Sequence, residues 1–263
     1  TGGAMEAFAH KPVEIPDGGK HYPPIQSPNR IIPVEVHSRM VSPKVDLSSD
    51  ALRNMERAVW TESAEISLGN SRLPVPPTEI LLAHLIVHGL LDHELNNGPL
   101  FVTDLIYLLR GNPLDRRKWD DLVARTEIGQ AVNIAAAMLP SEECELLLAG
   151  EEPKGGLTDA AIHSLMFQPA PHRSELKLRA ELSEANAGGR LATIFSKVFA
   201  NRQTLQDRWL AEGGVQGEEP QNIVLFWIWS MQAKLRKWRT GKSKTSDLAL
   251  DSLRELRAKL RDS

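Results

Sequence analysis

The chain has 263 residues, 41% hydrophobic and 25% charged, with a net charge of −3; this is enough apolar content to bury a core and too much for wholesale disorder. A single cysteine, Cys144, excludes an internal disulfide and a cysteine-rich metal site and fits a reducing compartment, so a cytoplasmic location is expected. The longest uninterrupted apolar run, Ile223 to Trp229, falls far short of the ~20 residues that a membrane-spanning helix needs.

Thr1-Gly2-Gly3-Ala4, ahead of Met5, lacks the basic and then apolar order of a signal peptide and reads as a cloning remnant. Up to Pro43 the chain is rich in proline and glycine, and its strongest regular element is a strand over Ile31 to His37. Pro33 has no amide to donate, so this strand lies at an edge or begins outside the ladder. Ser48, Ser49 and Asp50 can cap a helix that runs to Trp60. Ala64 to Leu68 and Arg72 to Val75 then form a strand pair around Gly69-Asn70.

Pro76-Pro77-Thr78 opens the clearest helix, Glu79 to Leu91, where leucine and isoleucine fill most positions and predict burial on more than one side. Apolar residues at helical spacing predict further helices over Leu100 to Arg110, Arg116 to Thr126, Gly129 to Leu139 and Ser141 to Leu148. The short connections between them are those of a bundle. Gly150 to Gly156 marks a boundary or hinge. Beyond it, helices are predicted over Thr158 to Met166, Ser174 to Ala185, Leu191 to Ala200, Gln203 to Ala211, Pro220 to Arg239 and Ser246 to Arg261. The expected fold is mainly α, of the α+β class, with a small N-terminal strand segment followed by a multi-helix bundle. Its parts are an extended, strand-containing segment at 1–75, a helical bundle at 76–150 and a C-terminal helical region with a basic tail at 151–263.

His84 and His88, four residues apart, lie on one helix face and could reach a single metal ion, with His93 and Asp104 completing the site. Leu85 follows His84 directly, so the glutamate of a zinc-protease helix is missing. Histidines on an apolar helix also serve as packed, hydrogen-bonded core residues or as groups that position substrate, and Asp104 can cap its helix or accept from an imidazole. Cys144 stands among Glu142, Glu143 and Glu145, which would raise its pKa and leave it a poor nucleophile. No glycine-rich phosphate loop ending in lysine and serine is present.

Ile228 to Ser263 carries ten lysines and arginines against four acidic residues, a net +6 that leaves −9 on the remainder of the chain. That asymmetry permits an anionic partner. However, Trp227 and Trp238, eleven residues apart, fall on nearly one helix face, as in a buried stripe beneath a solvated basic face, and nucleic acid is not an expected partner.

His21-Tyr22-Pro23-Pro24-Ile25 followed by Val34-Glu35-Val36-His37 resembles a family of poorly characterised bacterial nucleotidyltransferases. The resemblance continues through Leu81-Leu82-Ala83-His84-Leu85-Ile86-Val87-His88, His93, Val102-Thr103-Asp104-Leu105 and Trp119-Asp120-Asp121-Leu122, and so covers about His21 to Pro140. It implies that the strand segment is the end of a nucleotidyltransferase sheet, and that a nucleotide moves from a nucleoside triphosphate to an acceptor it does not identify. It also implies Mg2+ held by strand carboxylates. Glu35 matches the third of these, with His37 beside it as a catalytic position, and His84, His88, His93 and Asp104 become substrate-binding residues. From the residues alone, Glu35 is equally an outward-facing strand residue between inward Val34 and Val36. The family's glycine-serine turn and aspartate-x-aspartate strand do not occur in these 263 residues. They would have to lie upstream, on another polypeptide, or be absent. The alternative function is a non-catalytic helical adaptor that binds a partner through its basic C-terminal helices.

Overall fold

The computed structural model describes residues 25–26, 33–34, 39–42, 45–168, 170–186, 188–190, 205, 209, 220–240 and 247–261. Those up to Phe167, together with those from Glu255 onward, form one compact unit, and those within Gln168–Arg254 form a second. Among the described residues the architecture is mainly helical, with two small antiparallel strand pairs.

In the first pair, β1 (Ile25–Gln26) runs against β2 (Pro33–Val34), with Ile25 opposite Val34 and Gln26 opposite Pro33. Pro33 is the first residue of its strand, where a missing amide is tolerated. Ile31, Ile32 and Glu35 to His37, the rest of the expected strand, lie outside the described residues.

Helix α1 (Ser49–Glu62) starts where Ser48 Oγ accepts from the Ala51 amide at 3.1 Å, filling one of the bonds a helix start leaves open. It buries Ala51, Met55 and Ala58, spaced four and three residues apart along one face. The hairpin of β3 (Ala64–Leu68) and β4 (Ser71–Val75) turns at Gly69, whose φ of +59° is open to glycine at little cost.

Helix α2 (Thr78–Ile86) follows the proline pair and is the axis of the unit. It packs against α1, α3 (Leu100–Gly111), α4 (Arg116–Thr126) and α5 (Gly129–Ala136), which is why Ile80, Leu82, Ala83 and Ile86 are buried on several sides. The expected regular helix to Leu91 is not what forms: after Ile86 the backbone widens into a π-helical turn over Val87–Asp92. Gly89 lies in that turn against the buried Phe101 ring, and a Cβ there would approach the ring to 2.4 Å.

The framework around α2 is joined by specific polar contacts. Glu79, buried at the start of α2, accepts from the Asp115 amide at 2.7 Å and so ties α2 to the cap of α4. Asn54 of α1 donates to the Arg125 carbonyl of α4 at 2.9 Å. Buried Trp119 and Arg116 both donate to the Leu147 carbonyl, at 3.2 and 3.0 Å, as α6 (Ser141–Leu148) ends in left-handed Ala149. These donors satisfy one of the carbonyls that a helix end leaves open. Glu143 of α6, fully buried, pairs with Arg110 of α3. Helix α5 stops at Ala136 rather than Leu139, because tighter bonds from Met138 to Ala135 and from Leu139 to Ala136 close its end before Pro140. Helix α7 (Asp159–Met166), capped by Thr158, completes the described helices of this unit before the chain returns at Glu255.

In the second unit, α8 (Ala170–Glu184) begins four residues ahead of the expected Ser174, with Pro171 in its first turn, where it is tolerated. It is linked to the start of α10 (Asp247–Arg261) by Arg179 with Asp247 at 3.2 Å and by Arg254 donating to Ser183 at 3.1 Å. Leu205 and Phe226 form a small core, with Trp209, Ile223, Trp227 and Trp229 packed against it at the start of α9 (Ile223–Thr240). The helix expected over Leu191 to Ala200 lies outside the described residues, as does the Trp238 side chain. Of Gln203 to Ala211 only Leu205 and Trp209 are described, both helical. No described helix is long and apolar enough to cross a membrane.

Candidate functional site

The residues singled out on α2 converge where that helix loses its regular register. His84, on the last turn of α2, stacks on His88 with ring centroids 5.4 Å apart and planes inclined by 22°. His88 in turn meets His93 edge-on, with centroids at 4.2 Å and planes at 72°. Asp92 approaches from the same side, its Oδ2 3.6 Å from His88 Nδ1. One ligand atom each from His88, Asp92 and His93 lies within 4.8 Å of the others, and all three residues are half-buried.

The π turn is the cause of this convergence. In a regular α-helix, at ~100° per residue, positions five apart diverge by about 140° around the axis. Here the His93 amide donates to the His88 carbonyl at 3.0 Å, the five-residue bond of a π turn, which brings the two imidazoles to one side. The chain then reverses through Glu94 and Leu95, at φ +51° and +64°. A non-glycine residue held in this conformation costs about 1–3 kcal/mol, and such strain persists only where surrounding structure imposes it. Two contacts impose it. The Leu95 side chain is fully buried, and Glu94 pairs with Arg257 at 2.7 Å, with both side chains largely shielded from solvent.

Asp104, by contrast, is exposed on α3 and is not one of the three converging residues. Asp92, four residues after His88, is the carboxylate that stands beside these imidazoles. The signal was present in the sequence as His88-x-x-x-Asp92-His93, but His88 and His93 share a face only once the helix has widened. Glu35 and His37 lie outside the described residues. Cys144 does have a raised pKa, but burial is the main cause and Glu152 the second, in place of the adjacent glutamates.

Magnesium of the kind the resemblance implies takes oxygen ligands from several carboxylates. Among the described residues, the close set of ligating groups offers two imidazoles and one carboxylate, and the sequence has no aspartate-x-aspartate pair. This donor set does not fit a two-magnesium centre.

A family model described as an uncharacterised nucleotidyltransferase matches residues 5–140, just over half of the chain. The match spans both the Val34-Glu35-Val36-His37 segment and the histidine-bearing end of α2. No curated protein and no solved structure matches the chain.

Proposed function

Because the chain belongs to this family of uncharacterised nucleotidyltransferases, we propose that it binds a nucleoside triphosphate and positions it for nucleotidyl transfer to an acceptor. In such a transfer an acceptor atom bonds to the α-phosphorus and the α–β phosphoanhydride bond breaks, releasing pyrophosphate. The single observation that supports a triphosphate-binding role is the row of three imidazoles, His84, His88 and His93, gathered within the family-matched segment. Imidazole N–H groups can donate to phosphate oxygens, and half-buried donors make stronger bonds than fully solvated ones. Glu35 and His37 are assigned to the reacting end of the nucleotide by the resemblance of Val34-Glu35-Val36-His37 to the family's sequence pattern. Two-metal activation of the acceptor would require the two further carboxylates that these residues do not contain, so the role assigned to this chain is binding and positioning.

Equilibrium titration of the full chain with each of the four ribonucleoside triphosphates tests the reading. At least one is expected to bind saturably, and His84→Gln is expected to weaken it roughly tenfold or more, as loss of a charge-assisted hydrogen bond does. Absence of binding by all four, or equal binding by the variant, would overturn the proposal and return the helical adaptor as the better reading.

A further inference from the structure

We propose that His88, Asp92 and His93 hold a divalent transition-metal ion of the zinc type. The proposal goes beyond triphosphate binding and does not rest on it. Two imidazole nitrogens and one carboxylate oxygen make a borderline donor set, suited to zinc and its neighbours rather than to magnesium. Bonds of about 2.0–2.1 Å at tetrahedral angles place ligand atoms roughly 3.3 Å apart. His88 Nδ1 and Asp92 Oδ2 are already 3.6 Å apart, and one ligand atom from each of the three residues falls within 4.8 Å of the others, within about 1.5 Å of the spacing that the ion requires.

Three further features fit a cation here. The ligands stand at the C-terminal end of the helix formed by α2 and its π turn, where the open carbonyls favour positive charge. The backbone that presents the ligands is also fixed on both sides, by Gly89 flush against Phe101 and by Glu94 paired with Arg257. Stacking of His84 on His88 sets the plane of one ligating ring. With three ligands from the described residues a fourth position would be open, as in catalytic rather than structural zinc sites.

The test is titration of the chelator-treated full chain with Zn2+, without nucleotide, alongside the visible spectrum of the Co2+ form. One ion per chain is expected, with the intense bands of four-coordinate cobalt. His88→Gln, Asp92→Asn and His93→Gln should each weaken Zn2+ binding more than about 100-fold, since even outer partners of metal ligands are worth ~10–100-fold. His163→Gln, on α7, should leave it unchanged. His93→Cys, which keeps a ligand, should retain Co2+ and add a thiolate charge-transfer band, so the proposal stays testable if a glutamine variant unfolds. Absence of stoichiometric binding, binding retained by all three ligand variants, or a His93→Cys spectrum without the new band would overturn it. If Zn2+ fails to bind while His84-dependent triphosphate binding stands, the metal site falls alone.

Discussion

Helix α4 and the Val87 to Gly98 turn lie in the same unit, and they obey local rules to very different degrees. Helix α4 spans Arg116–Thr126, the bounds its sequence pattern predicts, with Asp115 capping the Lys118 amide at 3.2 Å and Trp119, Leu122 and Thr126 buried. The turn widens to π register, passes through two left-handed non-glycine residues and gathers half-buried imidazoles beside a carboxylate. Regular, capped segments supply stability, whereas a segment that departs from local preference has to be held by its surroundings and is where function concentrates.

Substitutions in the two segments should therefore separate stability from ligand binding. The largest effect is expected from Trp119→Ala, which removes a buried indole and its bond to the Leu147 carbonyl. Denaturant unfolding should show a loss of about 3–5 kcal/mol, with Zn2+ affinity of the remaining folded protein unchanged. Glu94→Gln should cost less, roughly 1.5–3 kcal/mol, the range for hydrogen bonds to charged groups. Unlike Trp119→Ala, it should also weaken Zn2+ binding by loosening the turn. If both changes affect stability alone, the contrast between scaffold and site is wrong. Gly89→Ala sets the overlap with Phe101 against alanine's better helix propensity. A net loss of about 1–2 kcal/mol is expected, and a gain would show that the π turn relaxes easily. The smallest effect concerns Cys144, whose thiol pKa is raised by burial and by Glu152. A raised pKa leaves less thiolate at a given pH, so iodoacetamide should react more slowly than with an unfolded control, and the rate-against-pH curve should shift to higher pH.

The scaffold was legible because each helix carried its own signals. Ser48 and Thr158 cap where polar residues precede apolar periodicity, and the i, i+4 spacing of Phe101, Leu105 and Leu109 marks the buried face of α3. The site was legible only in part. His84 and His88 share a face in any helix, so their pairing could be read directly. The approach of His93 and Asp92 to His88 depends on the π turn, which is set by tertiary contacts: Phe101 against Gly89, the burial of Leu95, and Arg257, which is 163 residues from Glu94 in sequence. No periodicity in the local sequence encodes a partner that far along the chain.

The most direct test that this irregular turn is the ligand-binding site is anomalous diffraction at the zinc absorption edge from crystals of the full chain grown with one equivalent of Zn2+. A single strong peak is expected within bonding distance, about 2.0–2.2 Å, of His88, Asp92 and His93. A peak elsewhere on the molecule, with these three side chains unliganded, would contradict it.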